Sequence, residues 1–118
     1  MKPVKITLIA LTLLLGTNLR SNAQLLPTNL KVTVLDELGN PVEKATVILY
    51  NSKDNYLNSS SAVASASTNA KGMVKFKKLE ARAYYIEATK GDMKNDGLGA
   101  ETEALTAKKT NKVNVVIE

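Results

Sequence analysis

The 118-residue chain contains no cysteine, no histidine and no tryptophan, and only one phenylalanine and four tyrosines. Each absence removes something. Without cysteine there are no disulfide staples and no lipidated N-terminal cysteine, so stability must come from the core and the backbone ladder alone. Without histidine or cysteine the Ser-His-Asp and Cys-His nucleophile systems cannot be built, and zinc loses its usual ligands. Without tryptophan, the exposed rings that sugar sites draw on reduce to tyrosines, of which Tyr50, Tyr56 and Tyr85 are expected outward and Tyr84 inward. No metal, cofactor or catalytic residue is assigned, and the chain reads as a non-enzyme.

Long apolar runs are also missing, with one exception at the start. Lys2 and Lys5 precede the apolar stretch Ile6 to Leu15, and Ser21-Asn22-Ala23 follows as a small-x-Ala cleavage site. This is the layout of a secretory signal peptide. The run is too short for a membrane span, which needs roughly 20 apolar residues. Residues 1–23 are therefore expected to be a cleaved leader and 24–118 a single domain, exported to the periplasm, the medium or the cell surface and not integral to a membrane. The chain carries 16 basic against 11 acidic residues, a net charge of +5. Loss of Lys2, Lys5 and Arg20 with the leader leaves 13 against 11, or +2. No basic stripe with interleaved aromatics is visible, so nucleic acid is not an expected partner. Lys75 and Lys77 fall at strand spacing and are expected to line one solvated face.

What is present is alternation with a period of two. Leu30, Val32 and Val34 share one face against Lys31 and Thr33, and Ala45, Val47 and Leu49 repeat the pattern in the next run. Between them lies Asp36-Glu37-Leu38-Gly39-Asn40-Pro41, a turn in which glycine tolerates positive φ and proline fixes its own. Residues 51–61 are polar and read as a loop, and Ser61 to Thr68 reads as a short strand. A second turn spans Thr68 to Gly72. Val74 and Phe76 then face inward, followed by Tyr84, Ile86 and Ala88; a helix over 79–90 is the competing reading of that last stretch. A glycine-rich loop covers 91–103, with room for one short strand. Val113, Val115 and Ile117 close the chain as a strand. Six or seven short strands separated by turns predict an all-β sandwich of Greek-key type.

The carboxylates are scattered: Asp36 and Glu37 at a turn, Glu43 on an outer face, Glu101 and Glu103 late. Asp92, Asp96 and Gly97 partly match a calcium loop, but Lys94 occupies a ligand position and no glutamate closes it. One outward feature is apolar. Leu35, Ile48 and Tyr50 fall on the solvent side of their strands and are expected to form a patch on an outer sheet face, the candidate interaction surface.

The stretch Val34-x-Asp36-x-x-Gly39-x-Pro41-Val42-x-x-Ala45-x-Val47 resembles the carboxypeptidase regulatory-like domains, within the transthyretin-like or prealbumin-like β-sandwiches. Thr68, Gly72, Val74, Phe76, Leu79, Tyr84 and Ala88 extend the likeness, which covers most of residues 30–90. Arg82 departs from it, since relatives commonly carry glycine there. The resemblance implies a non-catalytic accessory sandwich of bacterial envelopes, standing here without a peptidase domain. Transthyretin-like hydrolases need histidines and a Tyr-Arg-Gly-Ser tail, and this chain has neither. The expected function is a binding or structural module whose partner is an envelope protein or a carbohydrate. The alternatives are a small-ligand, carbohydrate or calcium-binding protein and, behind these, a small hydrolase using carboxylates.

Overall fold

A computed structural model describes residues 26–97 and 99–118. Alternating apolar residues pair into two sheets. One sheet has three strands, in the order β4 (Met73–Phe76), β1 (Asn29–Leu35), β7 (Thr110–Val116). The other has four, in the order β3 (Ala64–Ser67), β2 (Thr46–Tyr50), β5 (Tyr85–Lys90), β6 (Met93–Lys94). All neighbours run antiparallel except β1 and β7, whose parallel ladder sets Asn29 to Leu35 against Thr110 to Val116. The described segments thus begin and end with strands that lie side by side.

The inward set matches the period-two reading. Leu30, Val32 and Val34 of β1, Val47 and Leu49 of β2, Ile86 and Ala88 of β5, and Val115 with Ile117 are all buried in one core. Tyr84 and Phe76 join them. Each large aliphatic side chain so enclosed stabilises the fold by about 1.5–3 kcal/mol before the cost of ordering it. The stretch from residue 79 to 90 is a break and then a strand, not a helix, because Ile86 and Ala88 alternate with Tyr85 and Glu87 against the β2 ladder.

The turn motifs are where the two sheets are stitched together. Asp36 bends the chain after β1: one carboxylate oxygen accepts from the backbone N–H groups of Leu38 and Asn40, both at 2.9 Å. Gly39 sits in that turn with φ +84°. Thr68, buried between β3 and the second turn, acts from the other side. Its hydroxyl accepts from Ala45 N–H at 2.9 Å and donates to the Val42 carbonyl at 2.6 Å. Gly72, φ +73°, then comes against Val34 and Pro41, and Val34 N–H donates to its carbonyl at 2.8 Å. Tyr84 closes the loop before β5, its hydroxyl accepting from Glu80 N–H and donating to the Glu80 carbonyl, both at 3.1 Å. Arg82 is not among the residues with left-handed φ, so this turn does not require a glycine there.

Residues 51–61, expected as a loop, contain a helix, α1 (Lys53–Asn58). Ser52 is its N-cap, accepting from Asn55 N–H at 3.1 Å, and Asp54 sits in the first turn. Six residues cannot hold a helix on propensity alone. Packing supplies the remainder: α1 rests on the outer side of β2 and β5. Beyond β6, Asn95 continues the sheet with its side chain, accepting from Ala88 N–H at 3.1 Å and donating to the Ile86 carbonyl at 2.8 Å.

Candidate functional site

The expected patch of Leu35, Ile48 and Tyr50 is not assembled. Leu35 belongs to the three-stranded sheet, half-buried beside Val116 and bridged to Pro41, whereas Ile48 and Tyr50 belong to the four-stranded sheet. Outward positions on opposite layers of a sandwich face away from each other, so alternation alone placed the three on a single surface. Tyr50 is corrected further. It points outward from β2 yet is only 2% exposed, because α1 covers it.

That covering builds a tyrosine cluster. Tyr50 pairs directly with Tyr85 across the β2–β5 ladder. Tyr56 of α1 lies over both, with its ring centroid 6.0 Å from Tyr50 in an edge-on arrangement and 6.1 Å from Tyr85 in a tilted one. Edge-to-face and tilted contacts at this distance contribute about 0.5–1.5 kcal/mol each beyond the area they bury. Tyr50 OH donates a long 3.4 Å hydrogen bond to Glu87 Oε2, and Tyr85 OH donates to Glu101 Oε2 at 2.9 Å. The Tyr50 phenol is held above its ordinary proton affinity, first by burial and then by the Glu87 charge. At Tyr85 the hydrogen bond to Glu101 is the leading cause of a shift in the same direction. Ile48, beside this cluster, is half-buried between Ser65 and Glu87.

Next to the tyrosines is a polar hollow of about 520 Å³, lined by Ser52, Glu80, Arg82, Tyr85 and Glu101 among others. Arg82 donates from Nη2 to the Asn51 carbonyl at 2.9 Å. The two carboxylates of the hollow, Glu80 and Glu101, are exposed to solvent. What the hollow offers is hydrogen bonding and a ring edge. In the 91–103 loop, Lys94 Nζ stands 3.7 Å from Asp96 Oδ1, a cation already occupying the neighbourhood of the partial calcium match. Among the described residues, no group of three or more metal-ligating side chains converges. Sequence reasoning missed Tyr56 as the lid of the cluster. The signal was there in Ser52-Lys53-Asp54, an N-cap followed by an acidic first turn.

Solved structures share the architecture. The chain matches the Bacillus anthracis TIE protein at 22% identity and TM-score 0.54, covering 78% of this chain and 17% of that one. It matches BcpA, the major pilin subunit of Bacillus cereus, at 17% identity and TM-score 0.55, covering 78% and 30%. It matches the D295N mutant of the shaft pilin SpaA of Lactobacillus rhamnosus GG at 16% identity and TM-score 0.55, covering 77% and 47%. The chain thus spans less than half the length of each of these structures. Identities this low establish a shared β-sandwich fold and nothing about activity. No curated protein sequence matches the chain. The sequence family matched, over residues 2–115, is the one described as SMCHD1 Ig-like domain 6, and the chain belongs to that Ig-like family.

Proposed function

We propose that the chain is a non-catalytic β-sandwich module exported to the bacterial cell envelope, where it serves a structural or binding role. The observation that carries this reading is the closed two-sheet sandwich itself, the fold found as one domain within bacterial pilins. Its charged side chains lie at turns and outer faces, and the interior is aliphatic apart from Phe76 and Tyr84. The N-terminal pattern supports export: residues 1–23 are a cleaved leader and 24–118 the functional domain. Residues 1–25 lie outside the described structure.

Within the Ig-like sandwiches we infer a likeness to the carboxypeptidase regulatory-like domains. The residues that carry the resemblance are the ones that build the corner: Asp36 ties the turn, Thr68 joins Val42 to Ala45, and Gly72 seats against Val34. A motif made of such residues specifies architecture. The partner is an envelope protein or a carbohydrate.

The test is expression of the whole chain in a Gram-negative host, followed by fractionation and intact-mass measurement. The expected result is a periplasmic or surface product whose mass begins near Gln24. A full-length product confined to the cytoplasm overturns the reading.

A further inference from the structure

Three lysines that are far apart in the sequence stand in one row across the outer face of the three-stranded sheet. Lys31 of β1 is directly opposite Lys75 of β4 in the antiparallel ladder and directly opposite Lys112 of β7 in the parallel one. Neighbouring strands lie about 4.8 Å apart, so the row crosses the sheet in roughly 10 Å. Like charges set directly opposite each other destabilise a sheet. No carboxylate occupies an outward position on these three strands; Thr33, Met73, Thr110, Asn114 and the buried Asn29 hold the adjacent places. The one ion pair among the described residues, Lys94 with Asp96, is elsewhere. The row lines a groove of about 320 Å³, shared with Asn69, Met73, Val74 and Thr110.

The chemistry of the groove selects its occupant. Three lysines in register favour an occupant that carries several anionic groups, because each ammonium is a compact point charge with several donors. Protein interfaces are depleted in lysine at their centres and are anchored by aromatic residues or arginine. This groove offers neither: the tyrosines Tyr50, Tyr56 and Tyr85 cluster on the opposite sheet. Beside the lysines stand the hydroxyls of Thr33 and Thr110 and the amides of Asn69 and Asn114, partners suited to a hydroxyl-rich chain, together with the apolar Met73 and Val74, on which the carbon face of a sugar ring can rest. We propose that the row Lys75–Lys31–Lys112 binds an acidic polysaccharide, a carboxylate-bearing glycan chain laid across the strands. This deepens the reading of the chain as a binding module and rests on it. Binding is measured on purified protein, so its outcome is separable from that of the export experiment.

The experiment measures binding of the purified chain to polygalacturonate at about 50 mM and about 0.5 M salt. Three parallel arms use neutral dextran, poly-glutamate and vesicles containing anionic phospholipid. Two triple variants remove equal charge: K31Q/K75Q/K112Q from the row, and K53Q/K90Q/K94Q from elsewhere. The expected result is polygalacturonate binding that weakens about tenfold at high salt and about tenfold in the row variant, with the control variant within about twofold of the parent. The row variant should melt at or above the parent temperature, since repulsion has been relieved. The proposal is overturned by no binding to polygalacturonate at low salt, by equal losses in the two variants, or by poly-glutamate or anionic vesicles binding as tightly as the glycan.

Discussion

Gly72 lies so close to Val34 that a Cβ at residue 72 would stand 2.8 Å from the Val34 carbonyl oxygen, with Pro41 Cβ and Val42 N at 2.9 Å. The neighbours are backbone and a rigid ring, so they cannot step aside, and φ of +73° disfavours any side chain in addition. Gly72→Ala is therefore expected to destabilise the protein by about 3 kcal/mol or more, read as a lowered urea midpoint. Gly39→Ala, where nothing lies within 4 Å, carries only the conformational cost of about 1 kcal/mol. Equal effects at the two glycines would contradict the close approach.

The Thr68 hydroxyl is a second stitch in the same corner. Thr68→Val keeps the shape and removes the oxygen, leaving Ala45 N–H and the Val42 carbonyl without this partner. A loss of about 2–3 kcal/mol is expected by chemical denaturation, with Thr68→Ser recovering most of it. A Val variant as stable as the parent would show that the hydroxyl is dispensable.

Burial, and behind it the Glu80 charge, hold the Tyr84 phenol above its ordinary proton affinity, against the lowering effect of its backbone hydrogen bond to Glu80. A raised value in the folded state means that its contribution is present below the unfolded phenol value, about 10, and is lost as pH climbs through the folded one. Melting temperature should therefore fall above pH 10 more steeply in the parent than in Tyr84→Phe. Tyr50→Phe should flatten the curve further, because Tyr50 is shifted the same way by burial and Glu87. Parallel curves for parent and variants would contradict this.

Tyr56 holds α1 on the sheet. Tyr56→Ala removes both ring contacts and opens Tyr50 to water. About 2–4 kcal/mol of stability should be lost, and the near-ultraviolet tyrosine dichroism should weaken while the far-ultraviolet strand signal persists. An unchanged near-ultraviolet signal would mean that the cluster is not packed.

Local period-two patterning made most of the fold legible. Leu30, Val32 and Val34 declare an inward face without reference to anything else, whereas Tyr84, Ile86 and Ala88 also allow a helix over 79–90, which pairing with β2 excludes. The turn residues declared the corners. What the sequence concealed was anything that depends on which strand neighbours which. Leu35 and Ile48 look alike on paper but lie on opposite layers. Lys31, Lys75 and Lys112 look unrelated and form one row, because β1 is central and takes one neighbour from each of two distant segments. The helix at 53–58 left only a faint local signal, the Ser52 cap with Asp54 in its first turn, because four of its six residues are polar and what stabilises it is Tyr56 resting on a sheet built elsewhere in the chain.

The register of β1 against β7 completes the core and aligns the lysines, so trapping that register tests the account most directly. The chain has no cysteine, which leaves an introduced pair without competitors. Thr33 and Asn114 are direct neighbours on the outer face, within the reach of a disulfide at the strand spacing of about 4.8 Å. T33C/N114C should oxidise rapidly to an intramolecular disulfide in the folded protein, while T33C/V116C, displaced by one outward position, should remain reduced. Preferential cross-linking of the displaced pair, or of neither, would contradict the register and with it the lysine row.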